Sequence, residues 1–161
     1  MSAVEMARTI AQVKEGEHLP ELAVDVNATL VILGALASRD WRPMHHDRDF
    51  AIHRNGVRDI FINTPNQAAW FERYITDWTG PHGRLGRMKF RMKDSVFPGD
   101  KMVFQGVVRG AGEDDVGCGW VTLVIDLKVG EKIVTQCEAR VALPVGESDN
   151  PWKRKREQWK P

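Results

Sequence analysis

Hydrophobic and polar residues in the first third of the chain follow patterns that predict one strand and two helices. Apolar and polar positions alternate between residues 19 and 26, which is typical of a strand with one buried face. Residues 29–38 are apolar on almost every side and follow Asn27 as a possible cap, so they predict a buried helix. Asp47 can cap a second, short helix. The segment between these helices is expected to form a loop.

A longer helix is predicted after this region. Asn63 or Thr64 can act as its N-cap with Pro65 at the first helical position, and Gly80 followed by proline ends the pattern. Residues 66–79 repeat apolar side chains at spacings of three and four, as in a helix with one buried face. The apolar positions are Ala69, Trp70, Tyr74, Ile75 and Trp78.

Four strand patterns occupy the second half of the chain. Their connections are too short for helical crossovers, so antiparallel pairing is expected. The strands are predicted at residues 85–92, 101–108, 119–128 and 132–143, and the connections at 98–100, 110–115 and 129–131. One strand, helices and then a meander of four strands indicate an α+β fold whose sheet wraps around the long helix.

Composition narrows the class of protein. The chain has 161 residues, enough for one domain with its own core, and its net charge of +1 gives no bulk field for binding nucleic acid or a membrane surface. Two cysteines in strand-like sequence are typical of buried thiols in a reduced, cytoplasmic protein. No apolar run reaches the ~18 residues that a membrane span requires.

The loop before the short helix carries the candidate chemistry. Asp40 and His45 lie on either side of Pro43, which prevents a helix and favours an extended conformation at Arg42. A carboxylate and an imidazole in one rigid turn can act together on a small substrate or a water molecule. The neighbouring His46 raises the alternative of a metal site, but adjacent side chains of an extended loop point apart, so no metal is expected.

The full loop string resembles a known motif. Asp40, Pro43, His45, Asp47 and Ala51 are spaced as in the hydratase motif of the MaoC-like hot-dog enzymes. The predicted order of elements is similar to that of the hot-dog fold. The resemblance covers about residues 19–143 and implies three regions. These are an N-terminal arm at 1–18, a MaoC-like hot-dog domain at 19–145 and a basic tail at 146–161.

The resemblance implies that Asp40 and His45 add water to a 2-enoyl thioester; which one is base and which is acid stays open. An oxyanion donor is expected at the start of the long helix, where free amides and the helix dipole favour negative charge. This places Asn63, Thr64 and Asn66 among the candidate substrate-binding residues. The backbone N–H of Thr64 or of Asn66 is the expected donor.

The loop also departs from the family pattern. Arg39 stands where Gly is usual before the Asp, Arg42 stands where Asn is usual, and Asn63-Thr64 replaces a common His-Gly pair. Arg42 can pair with Asp40 and lower its pKa, or it can face outward toward a phosphate of coenzyme A. Both hypotheses are kept.

The variant string is most similar to the small catalytic subunit of steroid side-chain enoyl-CoA hydratases. This implies a bulky enoyl-CoA substrate and hydration without a cofactor, coenzyme A being part of the substrate. The expected assembly is a homodimer or a heterotetramer with a second hot-dog subunit. Two alternatives remain: a hot-dog thioesterase using a carboxylate near the long helix, such as Glu72 or Asp77, and a non-catalytic partner subunit.

The C-terminal tail is strongly basic. Residues 153–156 are Lys-Arg-Lys-Arg and lie between Trp152 and Trp159. This composition fits a solvated tail, a segment packed on a partner subunit, or a phosphate-binding segment.

Overall fold

The computed structural model describes residues 8–161 and contains the predicted helices and sheet. The helices are α1 (Ala28–Ala37), α2 (Arg48–His53) and α3 (Thr64–Thr79). The strands are β1 (Leu22–Asp25), β2 (Arg84–Met92), β3 (Lys101–Glu113), β4 (Gly119–Val129) and β5 (Lys132–Leu143). One five-stranded antiparallel sheet packs its inner face against α3, and this layer contains the main hydrophobic core.

The order of the strands corrects one prediction. The sheet runs β1-β3-β4-β5-β2, so β3, β4 and β5 form a meander but β2 pairs with β5. The predicted four-strand meander is therefore wrong. The connection between β2 and β3 runs from the β2 edge of the sheet to the strand next to the β1 edge. Within this connection Val96 is fully buried, and its carbonyl accepts a hydrogen bond from the Ile62 amide.

Strand β3 is also longer than its pattern indicated. It continues through Gly110 and Gly112, which were expected to form a connection, with a bulge between Val108 and Gly110. The turn lies later, where the Asp114 carboxylate accepts hydrogen bonds from the backbone of Val116 and Cys118. Glycines in sequence therefore marked a bulged strand rather than a turn.

The two longer helices begin and end close to their predicted positions. Asn27 caps α1 through a hydrogen bond from the Leu30 amide, and Asn63 caps α3. Gly80 ends α3 with a φ of 73°, a left-handed conformation that glycine adopts without strain. Pro65 occupies the second helical position rather than the first, because Thr64 already has helical conformation.

Helix α1 is not buried on all sides as its composition suggested. Val31 and Ala35 are buried, but Leu33 and Leu36 on the opposite side are 58% and 43% exposed. The prediction of a fully buried helix is wrong, because only one face of α1 packs on the rest of the chain.

No helix within residues 8–161 combines the length and apolar character needed to cross a membrane.

The described part of the N-terminal arm and the C-terminal tail pack along the sheet, whereas residues 1–7 of the predicted arm lie outside the described residues. Before β1, the Glu17 carbonyl accepts a hydrogen bond from Val108 of β3. In the basic tail, Arg154 donates to the carbonyls of Val116 and Gly117, and the Trp159 ring lies 4.8 Å from the Trp120 ring. Arg154, the first of the two arginines in the basic cluster, is thus held by its own chain.

Replacing Gly34 by Ala should destabilise the protein. A β-carbon at Gly34 would lie 1.9 Å from Nδ2 of Asn66, where α1 crosses α3. Helix propensity alone favours alanine by about 1 kcal/mol, whereas overpacking costs about 1–3 kcal/mol. A lower free energy of unfolding in Gly34→Ala therefore identifies the close contact. Urea unfolding should show the loss, and Gly34→Ala/Asn66→Ala should recover part of it. A Gly34→Ala protein as stable as the wild type would contradict this packing.

Candidate active site

The C-terminus of α1 fixes the backbone of Asp40. The Asp40 amide donates to the carbonyl of Ala35 at 2.9 Å, and the Arg39 amide donates to that of Leu36 at 3.0 Å. These two bonds form a Schellman motif, and its left-handed position is occupied by Arg39 with a φ of 54°. Glycine is favoured at such a position because it lacks a β-carbon, which explains why Gly is usual before the Asp in this motif.

The Asp40 carboxylate is held by Arg42 in a two-point ion pair. Nε of Arg42 donates to Oδ1 at 2.8 Å and its terminal nitrogen donates to Oδ2 at 2.7 Å. This pair, more than any other contact, holds the pKa of Asp40 well below its usual range, and burial of the carboxylate opposes the effect only in part. Asp40 is therefore ionised at neutral pH, and Arg42 is engaged by it although the guanidinium is largely exposed.

Asn63 connects the loop to the start of α3. Its side-chain amide donates to Oδ2 of Asp40 at 3.0 Å and to the Ser38 hydroxyl at 2.8 Å. Its Oδ1 accepts the Asn66 amide at 3.2 Å and so caps the helix. Asn63 is buried, and every polar atom of its side chain is paired. One side chain thus fixes the carboxylate relative to the helix N-terminus.

His45 is buried and anchored from one side. Its Nδ1 lies 2.8 Å from the carbonyl oxygen of Phe61, and its ring packs edge-on against the Phe61 ring. Because a carbonyl only accepts, Nδ1 carries the proton and Nε2 of the neutral ring has a free lone pair. Nε2 faces Oδ2 of Asp40 at 3.6 Å, too far for a direct hydrogen bond. His46, in contrast, is exposed.

The N-terminus of α3 presents one free amide next to these groups. The Asn66 amide is engaged by Asn63, whereas the Thr64 amide has no hydrogen-bond partner among residues 8–161. The Thr64 hydroxyl lies 3.5 Å from the Met92 sulfur at the end of β2. Of the two predicted oxyanion donors, the geometry favours Thr64.

The structure brings the predicted site residues together in one place. Asp40, Arg42, His45 and Asn63 are in direct contact or within 3.6 Å, and Asn63 caps the helix that carries Thr64 and Asn66. Sequence analysis missed Ser38, which bridges Asn63 to the Gly34 carbonyl. Its only sequence signal was a polar residue at the end of an apolar helix.

The residues suggested for other chemistries lie elsewhere. Glu72 and Asp77, proposed for a thioesterase, are exposed on α3, and Asp77 pairs with Arg73 one turn away. Within residues 8–161 no group of three or more His, Cys, Asp or Glu side chains is arranged to hold a metal ion.

Comparisons with known proteins agree with the fold. No family model matches the chain. The chain is 35% identical over 98 residues to the 3-oxo-4,17-pregnadiene-20-carboxyl-CoA hydratase beta subunit of Mycobacterium tuberculosis, covering 61% of this chain and 75% of that protein.

Solved structures share the architecture. A chain of the ChsH1-ChsH2 complex from Mycobacterium tuberculosis superposes with a TM-score of 0.76 at 27% identity, covering 82% of this chain and 99% of that one. A MaoC-like dehydratase from Rhodospirillum rubrum gives a TM-score of 0.73 at 17% identity, with 84% and 96% covered. The predicted hot-dog fold is confirmed.

Replacing Arg42 by Gln should raise the pKa of Asp40. In the folded wild type the pKa of Asp40 is lower than its ordinary value of 3.8. The ionised carboxylate therefore stabilises the fold at pH values above 3.8, and this stabilisation is lost as the pH falls through the lower pKa of the folded state. The excess stability of the wild type over Arg42→Gln should therefore be constant near neutral pH and shrink below about pH 4. Carbon NMR of the Asp40 carboxyl and urea unfolding against pH measure both effects.

Arg54→Gln provides the control, because Arg54 is also an exposed arginine and has no ion pair among the described residues. Its titration curve for Asp40 should match the wild type. An Asp40 pKa that is the same with and without Arg42 would show that the ion pair does not set it.

Proposed function

Because the chain belongs to the family of MaoC-like hot-dog hydratases and dehydratases, we propose that it adds water to a 2-enoyl-CoA thioester and forms a 3-hydroxyacyl-CoA. Such an enzyme is a lyase. The proposal rests on one observation above the others: the lone pair of His45 Nε2 and the ionised oxygen of Asp40 face each other at 3.6 Å at the start of α3.

Their separation fits a shared water molecule. Two acceptors 3.6 Å apart can both lie within hydrogen-bond distance of one water oxygen, and each can receive one of its protons. Arg42 and Asn63 already donate to Asp40, which makes this carboxylate a weak base. We therefore assign His45 as the proton acceptor and Asp40 as the group that orients the water and stabilises the imidazolium.

The proton balance of the reaction follows from this assignment. The water oxygen bonds to the β-carbon of the enoyl group as His45 takes its proton, and the electron pair of the double bond moves toward the thioester oxygen. The imidazolium then returns the proton to the α-carbon. The Thr64 amide, at the positive end of the α3 dipole, is the donor for the transient oxyanion. No step requires a metal or an organic cofactor.

A bulky apolar acyl group is the proposed substrate. The relative from Mycobacterium tuberculosis is named for a pregnadiene carboxyl-CoA, a steroid thioester. In this chain Trp41, next to Asp40, is 66% exposed, and Leu33 and Leu36 form an exposed apolar face on the helix that leads to the loop. These side chains offer contact area to a large apolar group near the reacting water.

The proposed assembly contains a second hot-dog subunit. The curated relative is a beta subunit, and the similar solved structure is a complex of two differently named chains. A non-catalytic role for this chain within such a complex is disfavoured, because a subunit that only supports a partner has no need of a paired carboxylate and imidazole. The active complex is expected to need both chains.

Replacing either reacting group should abolish hydration. Asp40→Asn and His45→Gln should each lower kcat by about 10²–10⁴-fold, since each removes a proton-transfer or orienting group without changing side-chain size greatly. The loss of the enoyl-thioester absorbance band should be followed with a short enoyl-CoA and a steroidal enoyl-CoA. Both the purified chain and any complex that co-purifies with it should be assayed.

His46→Gln is the matched control, because it changes the adjacent, exposed histidine and should leave turnover near the wild-type rate. Full activity of the double variant Asp40→Asn/His45→Gln would refute the proposed site. Wild-type protein inactive on both substrates in both forms would refute the hydratase proposal.

Thr64→Pro should test the oxyanion donor separately from the water-activating pair. Proline at the first helical position removes the N–H but no helical hydrogen bond, so the fold should be retained. We expect kcat to fall about 10²–10³-fold, as for loss of one oxyanion donor. Thr64→Ala removes the same hydroxyl contact but keeps the amide, and it should retain most of the activity; equal losses in the two variants would exclude the amide as donor.

A further inference from the structure

Gln67 of α3 is a buried amide that the reaction described above does not use. Its Oε1 accepts a hydrogen bond from the Thr135 hydroxyl of β5 at 2.7 Å, and both residues are fully buried. Its Nε2 is buried as well, and it has no hydrogen-bond partner within residues 8–161. Because a buried donor without an acceptor is costly, this nitrogen requires an acceptor from outside the described chain.

The packing of α3 against the sheet does not itself require a polar pair at this position. Phe71, one turn further along the helix, is fully buried and packs edge-on against Phe104 of β3. Tyr74 is polar, but its hydroxyl is satisfied, since it accepts the Gly106 amide at 2.9 Å. An apolar side chain at Gln67 would avoid the unpaired donor altogether. The amide is therefore better explained by a ligand than by the core.

The side-chain amide of Gln67 lies toward the N-terminal end of α3. Helical side chains tilt toward the helix N-terminus, so Gln67 covers the turn that contains Thr64, three residues earlier. Contacts with the sheet agree with this placement. Thr135, which holds Oε1, is directly opposite Met92 in the pairing of β5 with β2, and the Met92 sulfur lies 3.5 Å from the Thr64 hydroxyl. The unpaired Nε2 and the free Thr64 amide thus belong to the same corner of the site.

We propose that the side-chain amide of Gln67 is a second oxyanion donor, which binds the thioester oxygen of an acyl-CoA together with the backbone amide of Thr64. Two donors match the two lone pairs of a carbonyl oxygen, and both bonds strengthen as negative charge develops on it. Gln67 keeps its protons throughout, so the proton balance of the hydration is unchanged. The inference rests on the proposed function and adds a catalytic residue to it.

Two neighbours give Gln67 its direction and its access. Thr135 is a positioning residue, because a hydrogen bond to Oε1 fixes the rotation of the terminal amide and with it the direction of Nε2. Met92 is partly exposed and beside Thr64. Its unbranched, flexible side chain is the group that rotates to admit the thioester.

Gln67→Met tests the donor, because methionine has a similar length and no N–H. We expect kcat for enoyl-CoA hydration to fall about 10²-fold with little change in KM, since the bond to the oxyanion is strongest in the transition state. Urea unfolding should show no loss of stability, because an unpaired polar group is removed together with the donor. If the single variant is unfolded, Gln67→Met/Thr135→Val replaces both polar groups and takes its place.

The matched control is Tyr74→Phe, which removes a buried polar group on the same side of α3, seven residues further from the site. It should lower stability, because the Gly106 amide loses its acceptor, but it should retain turnover. For the positioning role, Thr135→Val should lower kcat about tenfold and Thr135→Ser, which keeps the hydroxyl, should restore it. All assays use the preparation, chain or complex, in which the wild type is active.

Nitrogen-edited NMR detects the contact without turnover. Butanoyl-CoA carries the thioester but has no double bond to hydrate. When it is added to the wild type, the side-chain N–H signals of Gln67, identified by their loss in Gln67→Met, should move downfield. Coenzyme A alone, which lacks the carbonyl, should leave them in place.

The outcomes separate this inference from the proposed function. A wild type that hydrates an enoyl-CoA as fast as Gln67→Met would overturn the role of Gln67 and leave the hydratase function standing. Unmoved Gln67 signals under saturating butanoyl-CoA, or an equal loss of kcat in Tyr74→Phe, would overturn it as well. A wild type without hydratase activity would refute the proposed function and this role with it.

Discussion

The side-chain amide of Asn63 is the contact on which the geometry of the site depends. Its oxygen accepts the Asn66 amide and so caps α3, and its nitrogen donates to the Ser38 hydroxyl and to the Asp40 carboxylate. Asn63 is buried, and leaving a buried polar group unpaired costs about 1–3 kcal/mol. All its bonds must therefore form together, and this fixes the acid on the loop relative to the free amide of Thr64.

The two unusual arginines of the loop have different consequences. Arg39 sits in the left-handed position of the α1 terminus, where it adds backbone strain but still allows the turn that places Asp40. Arg42 holds both oxygens of Asp40 and keeps the carboxylate ionised. Together with the anchoring of His45 by Phe61, this supports the roles proposed for the pair, because Nε2 of the imidazole is directed at Asp40 and accepts no hydrogen bond from the described residues.

Local signals in the sequence determined the helices and the membership of the site. Asn27, Asp47 and Asn63 cap their helices as their positions indicated, because a cap depends only on the next three residues. Asp40 and His45 were identified by their spacing around Pro43, a property of one short loop. The strand positions followed from alternation, apart from the C-terminal part of β3.

Tertiary structure decided the features that depend on residues far apart in the chain. The pairing of β2 with β5 joins residues 43 to 58 positions apart, and the contact of Asn63 with Asp40 joins residues 23 positions apart. No local pattern encodes which partner is chosen, or which face of α1 stays exposed. The same holds for Arg42. The sequence left it either paired with Asp40 or facing outward toward a phosphate of coenzyme A, and in the fold it donates to both oxygens of the Asp40 carboxylate. The sequence alone therefore determined the candidate residues, and the tertiary structure determined the ion pair of Asp40 and the orientation of His45.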